Sequence, residues 1–210
     1  MGEVGAASTG RVRAVVTFVG DSNLIVGSAP VGLAFTAGDQ PYAMVQLAKP
    51  RAAIRCGDVA SPQGDTHDFW LHRLRDAQSK IATDGYVVNL GINDTGLPGV
   101  ATGPGYSAYG EKIDWLMALL ASRPVWWTNL PAEIEPPHLK TGCLAVNSAL
   151  RAAEKRWPNL TVLDWAAVAN PHPEYVAGQY GIHITWTGAM AWAQLVLSAL
   201  DSYFPSVTAR

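Results

Sequence analysis

Ala14-Val15-Val16-Thr17-Phe18-Val19-Gly20-Asp21-Ser22-Asn23 is the stretch whose reading decides the fold. Its first six residues are a nearly continuous run of apolar, β-branched and aromatic side chains, closed by a glycine. Such a run reads as a strand covered on both faces, the kind found in parallel sheets. The turn that follows would place the Ser22 hydroxyl at the carboxyl edge of the sheet, where open α/β folds take their ligands. Asp21 and Ser22 also suit the start of a helix, because both side chains can accept from its free N–H groups. Ser22 is therefore a candidate nucleophile only if other reactive groups converge on it.

Working outward, apolar runs alternate with segments of helical periodicity. Strands are expected at 12–19, 52–56, 86–90, 124–128 and 160–163. Residues 24–39 read as a loop or short helix, and 40–48 as a helix stopping before Pro50. Further helices are expected over 68–81, from a cap at Ser107 through Leu120, over 141–156, and over 187–203. The Pro- and Glu-rich stretch 130–140 reads as a loop on the same edge as Ser22. Alternating strands and helices imply a flavodoxin-like three-layer α/β/α sandwich on a five-stranded parallel sheet. Residues 1–11 read as a flexible tail and 12–210 as one domain.

Composition narrows the partners. The net charge is −2 and no cluster of Lys or Arg is present, which argues against nucleic acid. No apolar stretch is long enough to span a bilayer. The N-terminus lacks a charged-then-apolar leader pattern. A cytoplasmic protein and a mature or excised extracytoplasmic part of a larger parent both stay open. Cys56 and Cys143 could pair, but their spacing matches no metal motif, and His67 and His72 do not share a helical face. No metal or cofactor is expected.

Three further segments gather on the edge that holds Ser22: Gly64-Asp65-Thr66, Gly91-Ile92-Asn93-Asp94, and Gly181-Ile182-His183-Ile184-Thr185 with Gly188 behind it. Acyl transfer to a serine needs a hydroxyl, a base and donors for the developing oxyanion. Ser22, His183, the Asn93 amide and the backbone N–H groups of Gly64 and Ser22 supply that set. Trp186 and Trp70 could line a cleft, although packing is the simpler reading of each.

These four blocks, in this order, resemble those of the SGNH (GDSL-type) hydrolase family over residues 12–203. The resemblance implies Ser22 as nucleophile, His183 as base, and Ser22, Gly64 and Asn93 as the oxyanion hole. It further implies a metal-free reaction on a carboxylic ester carried by a sugar, a lipid or a small molecule, through an acyl-serine intermediate. Acyl transfer to an acceptor, or a non-catalytic binding domain on the same fold, are the alternatives. One position departs from the family: its acid precedes the histidine by three residues, and Tyr180 stands there. Three explanations compete: a main-chain carbonyl orients His183, Glu174 or Asp164 reaches it from the preceding loop, or the site is weakened or dead.

Overall fold

Val15–Gly20 forms β1, and its stiff branched and aromatic side chains explain why. Val16 and Phe18 pack into one helical layer and Val19 into the other, as expected of a strand with no solvent face. The computed structural model describes residues 12–37, 42–54, 69–95, 104–120, 122–135, 137–177 and 182–204, with side chains of the segment 104–120 from residue 109 onward. β1 lies between β2 (Ala43–Ala48) and β3 (Gly85–Asn89), followed by β4 (Val125–Thr128) and β5 (Leu160–Leu163). All five are parallel, in the order β2-β1-β3-β4-β5. The order reverses between β1 and β3, so a crevice opens there at the carboxyl edge.

One layer holds α1 (Ser22–Val26), α2 (Ser28–Thr36), α6 (Trp165–Ala169) and α7 (Trp186–Tyr203). The other holds α3 (Phe69–Lys80), α4 (Pro104–Leu120) and α5 (Pro137–Glu154). The expected α/β/α sandwich on a five-stranded parallel sheet is therefore the observed one. Among the described residues, no helix is long and apolar enough to cross a membrane.

Two elements were misread in the sequence. Residues 43–48 form β2 rather than the end of a helix, and the expected strand over 52–56 is absent from its described part, 52–54. Ala43-Met44-Val45-Gln46-Leu47-Ala48 is rich in good helix formers, but pairing with β1 outweighs that preference. Ala52–Ile54 is instead held by side chains: Trp70 Nε1 donates to the Ala53 carbonyl at 2.9 Å, and Ile54 N–H donates to Asp94 Oδ2 at 3.1 Å. The long helix read from 141 begins at Pro137, where the missing N–H of proline is tolerated in a first turn. A two-stranded antiparallel hairpin, β6 (Val176–Ala177) and β7 (His183–Ile184), had no counterpart in the sequence reading.

Candidate active site

Asp21 caps α1, its Oδ1 accepting from Asn23 N–H at 2.9 Å. The helix-cap reading of this turn is thus correct for Asp21, and it leaves Ser22 at the first helical position, half-buried at the sheet edge. His183 opens β7 and places its Nε2 3.2 Å from Ser22 Oγ. That distance suits proton transfer between a hydroxyl and a base.

The approach of His183 is built by its neighbours. Ile184 N–H donates to Asn23 Oδ1 at 2.8 Å, so the residue after the nucleophile clamps the residue after the base. Thr185 N–H donates to the Tyr175 carbonyl at 2.9 Å and its hydroxyl donates to the Glu174 carbonyl at 2.9 Å. The same hydroxyl accepts from Gly188 N–H at 3.1 Å and caps α7. A Cβ on Gly188 would strike the Tyr175 carbonyl, so the glycine lets α7 start hard against this loop. The position of Asn23 beside a serine at a helix start carries no sequence signal of this long-range bond.

Asn93 sits in a 3-10 turn, Ile92–Asp94, launched by Gly91 at φ +137°, a conformation that a side chain would strain. Its Nδ2 donates to Asp21 Oδ2 at 3.0 Å and to the Ala52 carbonyl at 3.1 Å. Both amide hydrogens are engaged, so an oxyanion would have to draw one of them from Asp21 or Ala52. Gly64, Tyr180 and Cys56 lie outside the described residues.

Neither candidate acid is directed at His183. Glu174 Oε1 lies 2.9 Å from His172 Nδ1, and its carboxyl is held below the usual range by its own backbone N–H and by His172. Asp164 accepts from Asn129 Nδ2 at 2.7 Å and from Ala167 N–H at 3.3 Å, capping α6. Among the described residues, the hydrogen-bond partner of the His183 ring is Ser22. Trp70 is fully buried, in place of the cleft-lining position considered for it, whereas Trp186 is 58% exposed.

A buried acid that the sequence did not single out stands nearby. Glu135, on the loop after β4, borders a cavity of about 20 Å³ beneath the β6–β7 hairpin, together with Asn23, Asn89, Thr128, Asn129 and Ile184. Its Oε2 has no hydrogen-bond partner among the described residues. Burial, reinforced by the negative charge of Asp21, pushes its carboxyl up to about 8. Asp21 itself is raised to about 7, chiefly by burial and also by Asp94, against the lowering effect of its bonds from Asn23 and Asn93. A space of this size admits one water, and its polar walls could bind it.

No family model matches the chain, and no curated protein matches its sequence. Solved structures do match its fold. The lipase/acylhydrolase from Enterococcus faecalis superposes with a TM-score of 0.66 at 17% identity, covering 93% of this chain and 100% of that one. The GDSL-like lipase from Bacteroides thetaiotaomicron gives 0.66 at 16% identity, over 91% and 89%. The C-terminal catalytic domain of peptidoglycan O-acetyltransferase A from Streptococcus pneumoniae, solved with a methylsulfonyl adduct, gives 0.62 at 18% identity, over 91% and 95%. Matched over more than nine-tenths of its length by these structures, the chain has the fold of the SGNH (GDSL-type) hydrolases.

Proposed function

We propose that the protein is a serine esterase that cleaves a carboxylic ester through an acyl-serine intermediate. The observation that carries this reading is the 3.2 Å approach of His183 Nε2 to Ser22 Oγ at the carboxyl edge of β1. His183 takes the hydroxyl proton as Ser22 attacks the acyl carbon. The oxyanion is met by the Ser22 N–H at the start of α1, by the Asn93 amide and by the Gly64 N–H. Protonated His183 gives its proton to the leaving alcohol, then activates the water that releases the acid. Its tautomer is fixed by a main-chain carbonyl rather than a carboxylate. Glu174 and Asp164 support that choice, because each is engaged elsewhere. Cleavage needs no metal in this scheme.

Hydrolysis of p-nitrophenyl acetate tests the reading. Ser22→Ala and His183→Ala are each expected to lower turnover by about 10³-fold or more. Glu174→Gln and Asp164→Asn are expected to retain it, and a comparable loss in either would replace the dyad with a triad. Labelling of Ser22 by a fluorophosphonate separates an esterase from a non-catalytic binding domain. A product assay with an added sugar alcohol separates hydrolysis from acyl transfer, the activity named for the Streptococcus pneumoniae domain.

A further inference from the structure

A small cavity separates a buried carboxyl from the clamp that holds His183. Glu135, on the loop after β4, is 7% exposed, and its Oε2 has no hydrogen-bond partner among the described residues. It borders the space of about 20 Å³ that Asn23, Asn89, Thr128 and Asn129 share beneath the β6–β7 hairpin. Two of those four neighbours are already committed. Thr128 Oγ1 donates to the Val88 carbonyl at 3.2 Å. Asn129 donates through Nδ2 to Asp164 at 2.7 Å and accepts through Oδ1 from Ala166 N–H at 2.7 Å. The Asn89 side-chain amide and Asn23 Nδ2, by contrast, make no hydrogen bond to a described residue. Buried polar groups are costly to leave unpaired, and these three border the same small space.

Burial keeps the Glu135 proton in place up to about 8, so at neutral pH this side chain offers an O–H as well as an oxygen acceptor. A water in the cavity can accept from that O–H and from Asn23 Nδ2–H while it donates to Asn89 Oδ1. Three bonds are the usual complement of a buried water. The consequence for Asn23 is directional. Rotated by half a turn, its amide would present Nδ2 to Ile184 N–H, donor against donor. The 2.8 Å bond that ties β7 to α1 would then be lost. An acceptor on the cavity side of Nδ2 holds the amide the right way round.

We propose that Glu135 is a positioning residue for the Ser22–His183 pair: through one water it orients the Asn23 amide, and Asn23 in turn holds Ile184 and so His183. The contacts run from the loop after β4 through the cavity to α1, and from there to β7. Direct support of the His183 ring is not its task, since the partner of that ring among the described residues is Ser22. Nor does the task need a negative charge. It needs a donor and an acceptor at the end of a side chain of this length. The proposal rests on the esterase reading for its effect on turnover, whereas the water and the hold on Ile184 are read without activity.

Two variants test it. Glu135→Leu puts an apolar side chain against the cavity, and Glu135→Gln keeps both a donor and an acceptor. On p-nitrophenyl acetate at neutral pH, Glu135→Leu is expected to lower kcat by about tenfold with KM little changed, because misplaced reacting groups are felt in the chemical step. Glu135→Gln is expected to retain most of the wild-type rate. In an Asn23→Ala background, Glu135→Leu should cost nothing further, since the link it breaks is already gone. Amide hydrogen exchange reads the same link without catalysis. Exchange of Ile184 N–H should be about tenfold faster in Glu135→Leu and unchanged in Glu135→Gln, while Val88 in the central sheet stays protected in both. A crystal structure should show one water within hydrogen-bond distance of Glu135, Asn23 and Asn89. Equal losses in the two variants, losses that multiply with Asn23→Ala, or no water at that place would each overturn the proposal. A wild type that holds the water and protects Ile184 but cleaves no ester would sink the esterase reading and leave the orientation of Asn23 by Glu135 standing.

Discussion

Asn93 shows what a single side chain must reconcile. An amide has two hydrogens, and here Asp21 and the Ala52 carbonyl hold both. If Asn93 donates to an oxyanion, that bond strengthens only as charge develops, so its loss should appear in kcat rather than KM. Asn93→Ala is accordingly expected to lower kcat on a short ester by about 10²–10³-fold with KM little altered. A raised KM with normal kcat would assign the residue to substrate binding instead. The residue's place was legible in the sequence, because Gly91-Ile92-Asn93-Asp94 follows a strand and its glycine takes the positive φ that the turn requires. The clasp by Asp21 was not legible, since nothing in one sequence shows which buried carboxylate faces which amide.

At the scale of the element, the site is a meeting of two short pieces of secondary structure. α1 contributes Ser22 and β7 contributes His183, and the bond from Ile184 N–H to Asn23 Oδ1 joins them directly. Asn23→Ala removes the acceptor and frees β7 to shift, and small misplacements of reacting groups are costly. Turnover is expected to fall by about 10- to 100-fold, with Asn23→Asp, which keeps an acceptor, retaining most of it. Equal losses in both variants would count against this positioning role. The central strands and the long helices were readable because their patterns agree with their final burial. β2 was not, because its residues favour a helix locally and only the neighbouring β1 makes them extended. The β6–β7 hairpin escaped for a related reason: two-residue strands leave no periodicity to read.

Across the whole molecule, Asp21, Asp94 and Glu135 are all buried acids. Lys112 Nζ lies 4.0 Å from Asp94 Oδ1. Asp21 and Glu135 hold their protons to about 7 and about 8, whereas unfolded carboxyls release theirs near about 4. From about pH 4 to pH 8 the folded chain therefore binds more protons than the unfolded one, and stability falls as pH rises through that window. Thermal melting followed by circular dichroism should show Tm declining from about pH 5 to about pH 8.5. Glu135→Gln should flatten the decline and raise Tm at the alkaline end, by about 2–4 °C for each kcal/mol of relieved burial cost. A Tm profile identical to wild type would show that Glu135 does not hold a proton in the fold. The sandwich itself was legible from alternating runs alone. Glu135 was not, because a carboxylate in a Pro- and Glu-rich loop looks like a solvated one until the hairpin covers it.

The bond between His183 and Ser22 closes a span of 161 residues in a chain of 210. Long-range closures are slow and entropically late, whereas helices and neighbouring strands form early. Competence should consequently be the last property to return when the denatured protein is diluted into buffer. Stopped-flow circular dichroism is expected to recover ahead of burst labelling by a fluorophosphonate, with an interval in which a sheet exists and no nucleophile does. Simultaneous recovery would mean that β7 docks with the nucleus of folding rather than after it.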